Sequence, residues 1–307
     1  MLKTGRLVAL GSLFFLTLSP APSVAQTGGA NIAPLEVPTY VLPTPARLQA
    51  RTLQAWQAPE ADQGVAVDDA HLYVIDNTVI AKYALDTGVL TDRWVGPSAG
   101  PVRHINSCYV RDALLWCANS NYPETPMGSS VEVFDTATMS PVETYSLGLM
   151  DEGSLTWFDE VEGGRIAGFA HYDTRGGVPF KNNSFSGVVA FDPEWRRTGG
   201  WMLPKAVIER MAPHAASGGA IGPDGLLYVL GHDLPELYVM ARPMMGPTLV
   251  HVATIDIEAP GQAFSWAQDG SHSIFAIDGD RHLVLKIELP LVELDPQIGT
   301  PFVRNGD

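Results

Sequence analysis

Short apolar runs recur along this chain, each preceded by a turn signal and followed by a cluster of polar residues. The five copies are HLYVID (71–76), LLWCAN (114–119), LLYVLGHD (226–233), SIFAID (273–278) and the looser RIAGFAHYD (165–173). Asp-Ala, Asp-Gly or Gly-Gly pairs stand just before the runs, and such pairs are typical of tight turns between antiparallel strands. Strand-based copies that repeat about every 40–60 residues predict a β-propeller.

Four strands can be followed within most copies. The first copy reads GVAV, HLYVID, VIAKYAL and VLTDRWV, whereas the last contains AFSWA, SIFAID and HLVLKIEL and lacks a fourth strand. The segment Arg51 to Trp56 alternates like a strand and lies ahead of the first copy, so we expect it to join the last blade and close the ring, which removes exposed edges. The sequence therefore predicts an all-β chain with a single five-bladed propeller. Six blades are the alternative if the Pro-rich ends contain another.

The N-terminus has the three parts of a signal peptide. Lys3 and Arg6 form a positive start, an apolar core follows, and Ser23-Val24-Ala25 offers a small-residue cleavage site. The alternative is an uncleaved anchor, but no apolar stretch reaches the roughly 20 residues that a membrane helix needs. We therefore predict a secreted or periplasmic protein without membrane insertion. The predicted organisation is a signal peptide at 1–25, a Pro-rich extended tether at 26–47 and a propeller domain at 48–307.

The charge of the chain restricts its partners. The formal net charge is −15, and it becomes −17 without the signal peptide, which carries two positive and no negative charges. Such a surface repels phosphate backbones and anionic lipids, so nucleic acid is not expected as a partner. An acidic rim suits a cation or a neutral polar small molecule. The charge does not exclude a protein as the partner.

The two cysteines fall in a register that suits a disulfide. If Asp112-Ala113 is a two-residue hairpin turn, Arg111 pairs with Leu114 and Cys108 lies opposite Cys117. That position is a non-hydrogen-bonded pair, where Cα atoms lie about 4.5 Å apart. An oxidising compartment agrees with the export signal. The sequence predicts a Cys108–Cys117 disulfide, with two buried free thiols as the alternative.

Polar residues occur at equivalent loop positions in the copies and predict a site at one mouth of the channel. In each blade of a propeller, the loop from the second to the third strand and the segment that leads into the first strand lie on the same face, around the mouth of the channel. Four of the eight histidines belong to these loops and segments. Turn chemistry explains many of the Asp and Asn residues here. Histidine is not a preferred turn former, so the histidines favour a binding site.

Two chemistries fit this set of residues. In the first, a divalent cation such as Ca²⁺ or Zn²⁺ activates water, with His104 or His214 as general base. The predicted metal ligands are Asp76, Asn119, His171, His232 and Asp278. In the second, the same groups bind a small polar molecule without turnover and without a cofactor. The predicted ligand-binding residues are Asn106, Asn121, Tyr122, Asp173, Asp233 and Gln262.

The stretch IGPDGLLYVLGHD (221–233) resembles blades of the gluconolactonase-like and NHL-type propeller families, in which a P-D-G turn precedes an L-Y-V strand. The resemblance covers one blade well and four loosely. It implies six blades and, for the lactonases, a central divalent cation held by carboxylate and asparagine ligands. By residue type, Asn119 and either Asp76 or Asp278 match those ligands, and Glu60 is the candidate for the family's N-terminal glutamate ligand.

Two functional hypotheses follow from these patterns. The first is a metal-dependent hydrolase, similar to a lactonase or esterase, that acts on ester, lactone or sugar-derived substrates at the channel mouth. The second is a non-catalytic propeller that binds a ligand or a protein, because many propellers serve only as platforms.

Overall fold

The computed structural model describes residues 43–304. The predicted signal peptide and residues 26–42 of the predicted tether therefore lie outside the described residues. Within the described range the chain forms five sheets whose innermost strands contact one another around a channel. The fold is an all-β, five-bladed propeller, as the sequence predicted, and not the six-bladed ring that the resemblance implied.

The strands follow the order that the repeats predicted. Two strands precede the blades: β1 (Ala46–Gln49) and β2 (Arg51–Gln57). Blade one contains β3 (Gly64–Val67), β4 (His71–Asp76), β5 (Val79–Ala84) and β6 (Leu90–Val95). Blade two contains β7 (His104–Arg111), β8 (Leu114–Ser120), β9 (Gly128–Asp135) and β10 (Ser140–Leu149). Blade three contains β11 (Ser154–Val161), β12 (Gly164–Ala170), β13 (Gly187–Phe191) and β14 (Arg197–Met202).

The last two blades are completed by the ends of the chain. A short α-helix, α1 (Lys205–Met211), leads into blade four, and a 3₁₀ turn (Asn183–Phe185) lies in the insertion of blade three. Blade four contains β15 (Gly218–Ile221), β16 (Leu227–Leu230), β17 (Glu236–Pro243) and β18 (Val250–Asp256). Blade five contains β19 (Ser265–Trp266), β20 (Ser273–Asp278) and β21 (Leu283–Glu288), and β22 (Gly299–Thr300) pairs with β17. No helix in residues 43–304 is long and apolar enough to cross a bilayer.

The strand β2 closes the ring, as predicted. It pairs antiparallel with β21, from Arg51 opposite Glu288 to Gln57 opposite Leu283, and becomes the fourth strand of blade five. Its Trp56 is buried, packs 5.7 Å from the ring of Phe275, and donates from Nε1 to the backbone oxygen of Leu85 in blade one. One strand therefore joins the last blade to the first.

The strand β1 is an addition that the sequence did not predict. It runs parallel to β18, with Ala46 opposite Ala253, and extends blade four by one outer strand. Arg47 on this strand bonds to the carboxylates of Asp256 and Glu236. Ala46 and Arg47, which were placed in the tether, are thus part of a sheet.

Aspartates at the first turns of blades one and four have a local structural role. In blade one the Asp68 carboxylate accepts hydrogen bonds from the backbone amides of Ala70 and His71 and from the hydroxyl of Tyr73. In blade four the Asp224 carboxylate likewise accepts from the amide of Leu226 and the hydroxyl of Tyr228. In both blades the same side chain caps the turn and anchors a tyrosine of the second strand.

The blades pack face to face through large apolar side chains. Trp157 on β11 is completely buried between blades three and four. Gly168 and Gly219 lie against its indole ring, and a Cβ atom at either position would overlap that ring. The interior is filled by one large aromatic group because its two neighbours have no side chain. Trp157 is an inter-blade packing residue.

The predicted disulfide is confirmed. Asp112 and Ala113 both have positive φ, of 51° and 59°, which is the two-residue hairpin turn that sets the register. Arg111 lies opposite Leu114 and Cys108 opposite Cys117, with Cα atoms 4.1 Å apart and a bond between the sulfur atoms.

Loss of this disulfide is expected to have a moderate effect on stability. Because the closed loop spans only 9 residues, replacing both Cys108 and Cys117 by alanine should lower the free energy of unfolding by about 2–3 kcal/mol. Urea unfolding of the variant and of the wild type, with and without reductant, measures this. An oxidised wild type no more stable than the reduced one would contradict the expectation.

The closure of the ring by β2 predicts a large loss of stability when Trp56 is replaced. Trp56→Ala should lower the free energy of unfolding by about 3–5 kcal/mol, because it removes a buried aromatic side chain that joins two blades. Leu53 lies on the same strand and its side chain is 44% exposed, so Leu53→Ala should change stability by less than about 0.5 kcal/mol. Urea unfolding of both variants tests this, and equal losses would show that Trp56 has no special role in closure.

Candidate functional site

Two histidines and one carboxylate meet at the predicted channel mouth. The Nδ1 atom of His214 donates to Oδ2 of Asp233 at 2.8 Å, and Nδ1 of His232 donates to Oδ1 of the same carboxylate at 2.7 Å. The two imidazole rings lie 4.1 Å apart between centroids. His214 comes from the segment that leads into blade four, and His232 with Asp233 from the loop after its second strand. The structure thus brings three of the predicted site residues together.

His104 lies near this group in a different environment. It begins β7, is half-buried, and donates from Nδ1 to the side-chain oxygen of Asn77. Burial lowers the pKa of His104 to about 4, and the charge of His232 acts in the same direction, against the opposing effect of Asp62. His104 is therefore uncharged at neutral pH.

Two tyrosines continue the mouth away from His104. The ring of Tyr122 lies 5.0 Å from that of His104, and the ring of Tyr172 lies 5.0 Å from that of Tyr122. Burial raises the pKa of Tyr172, so its hydroxyl stays protonated. The mouth thus has an aromatic row beside its imidazoles. Tyr122 was predicted as a ligand-binding residue, whereas Tyr172, which directly follows His171 in a polar cluster of the sequence, was not among the predicted site residues.

The five residues predicted as metal ligands do not form one group. Asn119 is buried, and both polar atoms of its side chain are hydrogen-bonded. Its oxygen accepts from the backbone amides of Arg103 and His104, and its nitrogen donates to the backbone oxygen of Pro101 and the hydroxyl of Ser130. Its side chain holds the segment that leads into blade two.

The two aspartates of the predicted metal set serve their own turns. Asp278 accepts from the amide and the side chain of Arg281, three residues later. Asp76 accepts from the side chain of the next residue, Asn77. Glu60, the candidate for the glutamate ligand, accepts from the hydroxyl of Tyr83 and faces Arg93 at 3.5 Å within blade one.

His171 is buried apart from the other histidines. Its Nε2 atom donates to the backbone oxygen of Asp151 at 3.1 Å, and its Nδ1 atom has no hydrogen-bond partner among the described residues. Burial lowers its pKa. Of the five predicted metal ligands, only His232 belongs to the group at the mouth.

Most of the other predicted ligand-binding residues hold loops in place. Asn121 donates to the backbone of Pro126 and accepts from the amide of Gly128, and Asp173 accepts from the amide of Asn183. Asn106 is buried and donates to the backbone of Leu155. Gln262 has a φ of 75°, and its backbone amide donates to the backbone oxygen of Gly231. Their roles in binding stay predictions.

Within residues 43–304, one set of three His, Cys, Asp or Glu side chains has ligand atoms within 4.8 Å of one another: His214, His232 and Asp233. Two imidazoles and a carboxylate suit Zn²⁺, which takes nitrogen and oxygen ligands and keeps an open position when only three come from the protein. Ca²⁺ prefers six to eight oxygen ligands. This donor set therefore fits a transition-metal ion better than it fits Ca²⁺. It also differs from the oxygen-rich ligand set that the resemblance implied.

A cavity of about 550 Å³ lies at the other end of the channel, where the sequence predicted no site. It opens on the face of the propeller that carries the turns between the first and second strands, and residues of the first strands line it. Its polar residues include Tyr109, Asp159 and Ser265. Burial raises the pKa of Asp159 to about 6, although the amide of Ile221 and the charges of Arg304 and Arg111 oppose this rise. No turn signal marks these positions, because they lie within strands.

Comparison with known proteins shows similarity of fold only. No family model and no curated protein matches this chain. Similar solved structures include the WD40 β-propeller domain of Doa1, which is 11% identical, with 74% of this chain and 78% of that chain covered and a TM-score of 0.41. The RRP9 WD40 repeats are 12% identical, with 81% of this chain and 100% of that chain covered and a TM-score of 0.40. A chain from the mitotic checkpoint complex is 10% identical, with 79% of each covered and a TM-score of 0.36.

These likenesses are too distant to support a functional argument. The assignment of five blades rests on the strand pairing of this chain itself. Nothing in the comparisons shows the gluconolactonase-like or NHL-type families that the sequence resembled.

The buried histidine makes the stability of the fold depend on pH. The pKa of His104 is about 4 in the folded protein and about 6.5 in an unfolded chain. The unfolded state therefore gains a proton first as the pH falls. The stabilisation is complete above about pH 6.5 and is lost towards pH 4, by about 2–3 kcal/mol.

His104→Gln should remove this part of the acid sensitivity. Urea unfolding at several pH values between 4 and 7, in the presence of a chelator, compares the variant with the wild type. The exposed His282, replaced by Asn, serves as the control and should leave the profile unchanged. A wild type and a His104→Gln variant with parallel profiles would contradict the low pKa.

Proposed function

We propose that this protein is an exported, non-catalytic binding propeller whose channel mouth holds a divalent transition-metal ion and, through it, a small polar ligand. The observation that carries this proposal is the convergence of His214 and His232 on the two oxygens of one carboxylate, Asp233. Export follows from the predicted signal peptide alone and remains part of the proposal.

The chemistry of the group supports a metal ligand set. A proton on each imidazole now lies between nitrogen and carboxylate at 2.7–2.8 Å. A divalent ion would replace these protons, with His214, His232 and Asp233 as its protein ligands. His232 and Asp233 are partly exposed, with side chains 39% and 38% accessible, so an ion and a further ligand have a path to them. Zn²⁺ with three protein ligands keeps a coordination position for an outside molecule.

Binding fits the mouth better than hydrolysis does. A general base works best when its pKa lies near the working pH. His104, predicted as a base, has a pKa of about 4 and its Nδ1 is used by Asn77. His214, the other predicted base, is engaged by Asp233 and is itself one of the three metal ligands in the proposal. The aromatic row of Tyr122 and Tyr172 offers a surface for the apolar part of a bound molecule.

The test of this proposal is metal binding by the mature protein. Elemental analysis and calorimetry with Zn²⁺ and Ca²⁺ should give one Zn²⁺ per chain and weaker Ca²⁺ binding. His214→Ala and His232→Ala should each weaken Zn²⁺ binding at least 10-fold, while the control His282→Asn should not change it. Saturation with Zn²⁺ at 100 times its Kd should add about 2.7 kcal/mol to the stability of the fold.

Three results would count against the proposal. A protein that binds no Zn²⁺, or binds it equally well without His214 and His232, has no metal site at the mouth. Turnover of a lactone or ester panel that disappears in His214→Ala would replace the binding function by the hydrolase. Capture of a protein partner that persists in the presence of a chelator would place the function elsewhere on the propeller.

A further inference from the structure

The cavity at the end of the channel opposite the histidines is formed by all five blades. Its walls include Val67 of blade one, Tyr109 of blade two, Phe158 of blade three, Ala220 of blade four and Ser265 of blade five. Each of these residues lies on the first strand of its blade. The volume of about 550 Å³ is within the range of small-molecule sites in proteins, about 300–1,000 Å³.

The cavity is separate from the mouth because the first strands converge between them. A Cβ atom on Gly64 would lie 2.7 Å from Cβ of Ala263, and one on Gly218 would lie 2.7 Å from Cα of Ala263. The first strands of blades four, five and one are thus in close contact around Ala263 at their mouth ends. None of the residues of the histidine group lines the cavity.

Three polar side chains at the cavity point to a ligand. The hydroxyls of Tyr109 and Ser265 are buried and have no hydrogen-bond partner among the described residues. An unpaired buried hydroxyl costs about 1–3 kcal/mol. The Asp159 carboxylate is held by the amides of Ile221, at 2.7 Å, and Glu160, at 2.8 Å. Each of its oxygens keeps a lone pair for a further donor.

The Asp159 carboxylate is an acceptor that an added cation could use. Arg111 is paired with Glu160, and it also faces Asp112 at 3.5 Å. Asp159 forms no ion pair within the described residues, although the charges of Arg304 and Arg111 act on it. Phe158, Phe264 and Trp266 supply aromatic surface to the same cavity, and aromatic faces attract ammonium groups.

We infer that this cavity binds a small organic amine, whose ammonium group donates hydrogen bonds to Asp159, Tyr109 and Ser265 and whose apolar part packs on the aromatic walls. An ammonium has three donors and no acceptor, which matches one carboxylate and two hydroxyl oxygens. The site is independent of the metal that we propose at the mouth. The net charge of −15 of the chain attracts such a cation from solution.

Calorimetry of the full mature protein tests the inference, in the presence of a chelator so that the mouth has no influence. The probes are phenethylamine, phenylalanine and phenylacetate, which share a ring and differ in charge. Phenethylamine should bind at one site, and phenylacetate should not. Binding of phenylalanine as well would assign the carboxylate to Arg304 and support the site; binding of phenylacetate alone would overturn the proposal, as would binding of none of the three.

Variants separate recognition from folding. Asp159→Asn should weaken phenethylamine binding by about 10–100-fold, because a hydrogen bond to a charged group is lost. Ser265→Ala removes an unpaired hydroxyl and is expected to fold normally while weakening binding less. Asp112 also lines the cavity, and its carboxylate side chain is 86% exposed, so Asp112→Asn is the matched control and should bind as the wild type does.

A proton readout provides a check that does not depend on the affinity of the variants. The charged and titratable groups around Asp159 include Arg304, Arg111, Arg165, Asp112, Glu160 and Tyr109. A bound ammonium should lower the pKa of Asp159, so binding near pH 5.5 should release protons in the wild type. Asp159→Asn should show no such release. Unchanged binding in Asp159→Asn, or identical proton release, would overturn the inference.

Discussion

The pairing of β2 with β21 is the constraint on which the rest of this structure depends. An open row of blades would expose strand edges at both ends, and such edges attract other chains. Here the segment before blade one supplies the outer strand of blade five, and its Trp56 reaches the backbone of blade one. The neighbouring β1 adds an outer strand to blade four. Residues 46–57 thus hold the fourth, fifth and first blades in one ring.

The closed ring determines what each end of the channel can do. Five first strands must share a narrow centre, and at the mouth side they approach so closely that Gly64 and Gly218 face Ala263 without room for a side chain. Further along, the strands diverge and leave the cavity around Asp159. Two ends with different chemistry result: imidazoles and a carboxylate at one, and the Asp159 carboxylate with aromatic rings and hydroxyls at the other.

Burial decides the protonation of groups that look alike in the sequence. Burial lowers the pKa of His104 to about 4 and raises the pKa of Asp159 to about 6. Each shift penalises the charged form of its group, because the surroundings solvate a charge less well than water does. His214 and His232 instead share the carboxylate of Asp233. Residue type alone could not separate these roles.

Features that depend on neighbours along the chain could be predicted before the fold was known. The turn pairs, the alternation of apolar residues and the missing fourth strand predicted five blades closed by the segment Arg51 to Trp56, and counting from Asp112-Ala113 predicted the disulfide. These features are local or follow from the period of two in a strand. Only the tertiary structure decided which polar residues meet. Asn119, Asp278 and Asp76 lie at the ends of second strands, close to the equivalent of His232, yet Asn119 bonds to the segment before its blade and the two aspartates bond to the residues that follow them. The group of His214, His232 and Asp233 and the cavity at Asp159 arise from the distances between loops and between blades, and those distances are set by packing rather than by order along the chain.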